Sequence, residues 1–249
     1  NQITPNMIDR AKILAKRYFD DKGYKNAEIS ILQRDDVSNK DQVILDVDID
    51  KKDKMKVRHI IIEGNEKLKR NKITGTFFKN GAFAKIHEAG KFKNFFKAKK
   101  FTPERYETDK KNLIEKYNEL GYRDATILED SVWNEDEKHV NVYIKVDEGQ
   151  QYYIRNIEWV GNSVLTSDFL NNALGMKKGD VYNQKLMNKR LKEDEDAVGN
   201  YYWNNGYIFY QLDPTEVNIV GDSIDLEMRI TENQQAHINA VRIYGNDRL

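Results

Sequence analysis

The chain contains no cysteine, which removes disulfide frameworks, thiolate metal sites and cysteine nucleophiles together and leaves the redox compartment open. Net charge is also absent. The 41 Lys and Arg are balanced by 41 Asp and Glu, so no global field draws the chain to nucleic acid or to an anionic membrane. No apolar run approaches the roughly 20 residues that a membrane-crossing helix needs, and no secretory-leader pattern is written in these residues; the chain as written is expected to be soluble. Histidine is scarce. His59, His87, His139 and His237 are scattered over different segments, and no HExxH or other metal spacing joins them. No glycine-rich phosphate loop follows a strand pattern, and no serine sits in a nucleophile elbow. Acidic pairs are frequent because 33% of the residues are charged; "KEDEDAV", Lys192 to Val198, is expected to be a solvated helix surface. The chain is not expected to be an enzyme or to hold a cofactor or metal.

What is present points to several small folded modules. Only 39% of residues are hydrophobic and the mean hydropathy is -0.81, which suits units with a high surface-to-volume ratio. Aromatic residues make up 11%, too many for a disordered chain.

The chain repeats itself. "VRHIIIEGNEKL", "IRNIEWVGNSVL" and "INAVRIYGNDRL" each carry an alternating apolar run, then Gly-Asn, then Leu three residues after the Asn, with the pair at Gly64 and Asn65, Gly161 and Asn162, and Gly245 and Asn246. These glycines lie 97 and 84 residues apart. A second landmark, Gly-Tyr, stands at Gly23 and Tyr24, Gly121 and Tyr122, and Gly206 and Tyr207, with spacings of 98 and 85. Two landmarks in phase define one recurring module.

Each module reads in the same order. The opening alternation is a short strand that leaves through Gly-Asn, a pair suited to positive φ. Leu68, Ile73 and Phe77, matched by Leu165, Leu170 and Leu174, predict a first helix, with "TSD" supplying cap oxygens before Phe169. A second helix follows Thr102 as N-cap and Pro103 at N1, with Phe101 outside as a staple, and buries Tyr106, Leu113, Ile114 and Tyr117 before Gly121 stops it. Thr4 and Pro5 repeat this opening. In the last copy Asn183 is the cap, and the run from Tyr182 to Gly206 is 24 residues against 20 for Phe101 to Gly121, so that helix is expected to be about one turn longer or to carry a bulge. Two alternating strands close the module: Val140, Val142, Ile144 and Val146 recur as Ile224, Leu226, Met228 and Ile230, and as Val43, Leu45, Val47 and Ile49. The fold class is therefore α+β, in tandem β-α-α-β-β modules, each a three-stranded mixed sheet covered on one face by two helices. The expected boundaries are a partial module at 1–54, complete ones at 55–149 and 150–234, and the first strand of another at 235–249. The 55–149 copy carries extra sequence at about 82–100. Short linkers such as "DEGQQYY" predict contact between neighbours, and the phase of the repeat predicts a piece of a longer protein.

This order, with Gly-Asn after the first strand, Gly-Tyr closing the second helix and "VDEG" ending the last strand, resembles the polypeptide-transport-associated (POTRA) domains. The tandem array is similar to the arm of BamA-type outer-membrane protein assembly factors, and its Lys/Asn/Tyr-rich style resembles their Bacteroidetes branch. The resemblance implies a scaffold on the periplasmic face of the bacterial outer membrane, ahead of a carboxy-terminal β-barrel of the same chain. Its implied partners are unfolded outer-membrane β-barrel proteins and accessory lipoproteins. It also puts the exposed sheet edge on the strand after Gly-Tyr, which here means Ala125, Thr126, Ile127 and Leu128, and Ile208, Phe209, Tyr210, Gln211 and Leu212. An extended client would add there as a further strand. Within the extra sequence, Lys91, Phe92, Lys93, Phe95, Phe96, Lys97, Lys99 and Lys100 form a basic run whose phenylalanines would line one face of a helix, suited to anionic head groups or an acidic partner. An array of KH-like nucleic-acid modules is the alternative function. It lacks a GxxG loop between the helices and any net positive charge, so nucleic acid is not an expected partner.

Overall fold

A computed structural model describes residues 3–39, 42–75, 81–86, 88, 100–237 and 239–245. The chain divides into two compact units, the first made of residues 1–116 and 125–148, the second of 117–124 and 149–249.

The first unit opens with α1 (Pro5–Asp21), then β1 (Glu28–Asp35) and β2 (Val43–Asp50), paired antiparallel as a two-stranded sheet. Thr4 caps α1, its hydroxyl accepting the Met7 N–H, with Pro5 at the start. No residue of α1 is buried, and Val47 and Ile49 of β2 are exposed. One helix on two strands covers too little surface to make a core.

A second sheet follows: β3 (Lys56–Glu63), α2 (Arg70–Thr74), α3 (Pro103–Glu119, its last turn in the second unit), β4 (Thr126–Asn134) and β5 (His139–Asp147), in strand order β3-β5-β4. β3 runs parallel to β5 and β4 antiparallel to it, so the sheet is mixed and its last strand is central. Val140, Val142, Ile144 and Val146 are all buried, each contributing about 1.5–3 kcal/mol relative to exposure. Phe101 is buried beside Tyr106, their ring centroids 6.0 Å apart, and the Thr102 hydroxyl accepts from Arg105 N–H at 3.3 Å. The first helix is shorter than its pattern predicts: α2 has five residues, and Phe77 lies outside the described residues. Ala82, Phe83 and Ile86 are buried in the core, because α2 alone is too short to cover the sheet.

In the second unit β6 (Tyr153–Val160), α4 (Ser167–Leu174), β7 (Gln211–Val220) and β8 (Ser223–Thr231) repeat the plan, in strand order β6-β8-β7. The register slips at matching places, between Val57 and His59 in β3 and between Ile154 and Asn156 in β6. Thr166 caps α4, accepting Phe169 N–H at 3.3 Å. Thr166→Ala should cost about 1 kcal/mol, read as a fall of about 4–8 °C in the melting point of this unit.

The long helix of the last copy is broken. α5 (Gln184–Asn188) runs into a π-helical turn (Lys189–Glu193), the chain leaves the helix at Asp194, and α6 (Val198–Asn204) resumes. "KEDEDAV" is thus a break and not a helix face. Ala197 and Val198 plug into the core, and Arg190 bridges Asp194 at 3.2 Å and Asp196 at 2.7 Å. The four extra residues are absorbed as a bulge and a corner, which lets Met187, Leu191 and Tyr202 stay on the buried side.

Candidate functional site

β4 and β7 are outer strands of their sheets, and so are β3 and β6 on the opposite sides. An outer strand leaves every second N–H and C=O without a ladder partner. Thr126, Ile127 and Leu128 open β4, and Leu128 sits at a bulge with 58% of its surface exposed. Ala125 lies just before the strand and is buried. Gln211 and Leu212 open β7, Leu212 being buried, whereas Ile208, Phe209 and Tyr210 form a turn, not a strand. Tyr210 N–H donates to Tyr207 C=O at 3.2 Å, and its ring stacks on Tyr202 with centroids 5.3 Å apart; the aromatic packing keeps the chain out of extended pairing. β7 also contains Pro214, which supplies no N–H and blunts that edge. β4 has no proline.

The Gly-Tyr motif does more than stop a helix. The tyrosine N–H returns to the carbonyl five residues back, Phe19, Tyr117 or Tyr202, and its ring meets that aromatic edge-on, with centroids 6.2, 6.1 and 6.4 Å apart. The glycine carbonyl accepts from the linker: Met55 N–H to Gly23 at 3.0 Å, Tyr152 N–H to Gly121 at 2.9 Å, Ala236 N–H to Gly206 at 2.8 Å. Met55 C=O then accepts Phe101 N–H, and Tyr152 C=O accepts Tyr182 N–H, both at 2.9 Å. In these two places the relay ties the linker to the residue just ahead of the cap of the next long helix. The first chain of bonds lies wholly in the first compact unit and the others wholly in the second.

Gly-Asn is explained as closely. Asn65 and Asn162 donate to the carbonyls of Leu68 and Leu165, three residues on, at 3.1 and 2.9 Å. Sequence reasoning missed the partners of this turn. Glu148 is buried and accepts from Lys67 and Leu68 N–H at 2.8–3.0 Å, and Glu232, its counterpart, accepts from Val164 N–H at 2.9 Å and from the Tyr202 hydroxyl at 3.1 Å. The glutamate in "VDEG" and in "ITEN" was the available signal. Gly245 is described, with φ of 78°, and Asn246 is not.

Beside β7, Tyr182 donates its hydroxyl to Glu216 at 2.7 Å, and Arg123 reaches the same carboxylate at 2.7 Å. Burial, then the Glu216 carboxylate, pushes the Tyr182 hydroxyl well above its ordinary value. On the β4–β5 hairpin the Lys138 N–H, helped by His139 and Arg58, holds the Asp136 carboxyl at about 2. These groups brace strands; among the described residues no cluster of His, Asp and Glu could hold a metal ion. Of the basic run, Lys100 is exposed and its carbonyl accepts from Arg105 at 2.8 Å, and Lys91, Phe92, Lys93, Phe95, Phe96, Lys97 and Lys99 lie outside the described residues.

Comparison with known proteins gives the same unit. The family described as POTRA, surface antigen variable number repeat, matches residues 55–149 and 152–233. The outer membrane protein assembly factor BamA of Neorickettsia risticii is 24% identical over 193 residues, covering 75% of this chain and 24% of that relative. The BamA of Nitratidesulfovibrio vulgaris is 22% identical over 203 residues, 81% of this chain and 25% of the relative. The chain thus spans about a quarter of these relatives. Among solved structures, Haemophilus influenzae BamA POTRA3-5 aligns with a TM-score of 0.49 and 16% identity over 92% of this chain and 82% of that one.

Proposed function

Since the chain belongs to the POTRA family, we propose that it is part of the periplasmic arm of a BamA-type outer-membrane assembly factor, where it receives unfolded β-barrel precursors by strand addition and offers docking surface to accessory lipoproteins. The observation that carries the reading is β4: an outer strand without proline, its main chain open on one side and Leu128 and Trp133 exposed along it. Main-chain pairing gives affinity that is largely independent of client sequence, as a receptor for many precursors requires. β7 is the weaker edge because Pro214 interrupts its donors. The bulge at Leu128 limits unregulated pairing.

Photo-crosslinking tests this. A crosslinking residue at Leu128 should capture an unfolded outer-membrane precursor, and one at Glu137 on the hairpin should not. N-methylation of alternate residues in a client peptide removes main-chain donors and keeps the side chains, and should abolish capture. Undiminished capture of the methylated peptide would show that the contact is not strand addition.

A further inference from the structure

In the first unit the free side of β3 is already occupied by the chain itself. Glu88 lies against β3 in a parallel bridge with Val57. Its carboxylate, 4% exposed, accepts the Ile60 N–H at 3.0 Å, and Arg70 donates both to the Ile60 carbonyl and, at 2.8 Å, to the same Glu88 oxygen. Glu88 therefore closes this edge at Val57 and Ile60 with one bridge and one carboxylate.

In the second unit the start of the matching strand is bridged by Val181, antiparallel to Tyr153, but no carboxylate closes it further along among the described residues. A shift of 97 residues carries Val57 to Ile154, Ile60 to Ile157 and Arg70 to Ser167, and the shared register slip keeps the two strands in phase. The main chain of Ile154 is taken within the unit, its N–H donating to Asp180 C=O at 2.8 Å and its C=O accepting Gly179 N–H at 2.7 Å. At Ile157 the likeness ends. Ser167 carries no guanidinium, and no counterpart of Glu88 exists because Leu174 to Tyr182 spans 8 residues where Phe77 to Phe101 spans 24. Among the described residues no side chain bonds the Ile157 main chain. The strand instead borders a cleft of about 470 Å³, lined by Asn156, Ile157, Asn171, Asn172, Lys177 and Lys178. Asn171 is held by the Trp159 indole N–H at 2.8 Å, which fixes one wall. Lys177 and Lys178 are exposed, and no ion pair holds either among the described residues. Asp180 offsets one of these charges, its carboxylate accepting Lys177 N–H at 2.9 Å.

The geometry points to a peptide-addition site on the free side of β6 at Ile157, for an extended segment that carries a carboxylate, with Lys177 and Lys178 in the charge role that Arg70 plays beside Glu88. It goes beyond the reading given above, since it uses the opposite edge of the sheet and demands a charge that strand addition at β4 does not. Discrimination follows from the charge-assisted bond.

The test uses the full chain and an end-blocked, labelled peptide of sequence AFAKIHEAG, the segment that includes Glu88. Anisotropy should show saturable binding, and the Ile157 amide resonance should shift with it. Replacing the peptide glutamate by glutamine should weaken binding about ten-fold or more, and so should K177E with K178E in the protein. Equal affinity of the glutamine peptide, an unmoved Ile157 amide, or no saturation up to about 1 mM overturns the proposal. Shifts confined to β4 or β7 overturn it as well, while leaving the client-binding reading of those strands standing.

Discussion

Gly161→Ala is expected to lower the stability of the second unit by about 4 kcal/mol and its melting point by ~20 °C, on a scale of 4–8 °C per kcal/mol for a module of this size. Two effects add. Gly161 has φ of 85°, where an L-residue costs roughly 1–2 kcal/mol. Its added Cβ would also lie 2.1 Å from the carbonyl oxygen of Ile230, so the buried central strand β8 must shift at its pairing with Leu212. Backbone cannot step aside as a flexible side chain does. Gly179→Ala separates the two effects: φ there is 89°, yet nothing stands within 4 Å of the new Cβ, so the loss should be about 1 kcal/mol. Differential scanning calorimetry of both variants gives the difference directly. Equal losses would mean that the turn does not press on β8 as described.

Gly161 also shows what sequence could reveal. Its recurrence with Gly64 marked a turn, and the repeat order led to the α+β plan with a mixed sheet, because alternation and caps are local signals. The close approach of the turn to the last strand is not local. Neither is the role of Glu148 and Glu232, whose carboxylates receive N–H groups about 80 and 68 residues away in sequence. The turn at Ile208, Phe209 and Tyr210 escaped for a different reason: an aromatic run alternates like a strand, and only the stacking of Tyr210 on Tyr202 decides against it. The broken helix was half legible. Four extra residues announced a bulge or a turn, but the choice depended on Arg190, which reaches the carbonyls of Ala173 and Leu174 and both Asp194 and Asp196. For the candidate site, pattern named the strands and stayed silent on what lies beside each free edge, since Glu88 meets Ile60 through a side chain that no periodicity encodes.

Asp109→Leu should destabilise the first unit by on the order of 4 kcal/mol, the second large effect. Asp109 is fully buried on α3, and its two oxygens accept four bonds from three consecutive main-chain N–H groups, Ala84 at 3.1 Å, Lys85 at 2.9 Å to each oxygen and Ile86 at 2.7 Å. Burial pushes its carboxyl above the ordinary range, opposed by those three donors and by Asn112. Leucine fills the space and leaves the donors unpaired, at roughly 1–3 kcal/mol each before relaxation. Asp109→Asn keeps one acceptor oxygen, and about half the loss is expected. The same position of the long helix, counted from Phe101 and Tyr182, holds Arg190 in the second unit. There the preceding segment is the end of α4, which presents carbonyls, and the anchoring side chain is a donor accordingly. Asp109→Arg should therefore be worse than Asp109→Leu, because a guanidinium would face three N–H groups. Urea unfolding measures the losses, and hydrogen exchange places them. Asp109 holds Ile86, and Ile86 is two residues from the carboxylate that caps Ile60. In Asp109→Asn the Ile60 amide should exchange faster well before the central-strand amide of Val142 does, as the plug on β3 loosens ahead of the sheet. Parallel acceleration of both amides would mean that the segment and the sheet open as one, and that the edge of β3 is not separately closed.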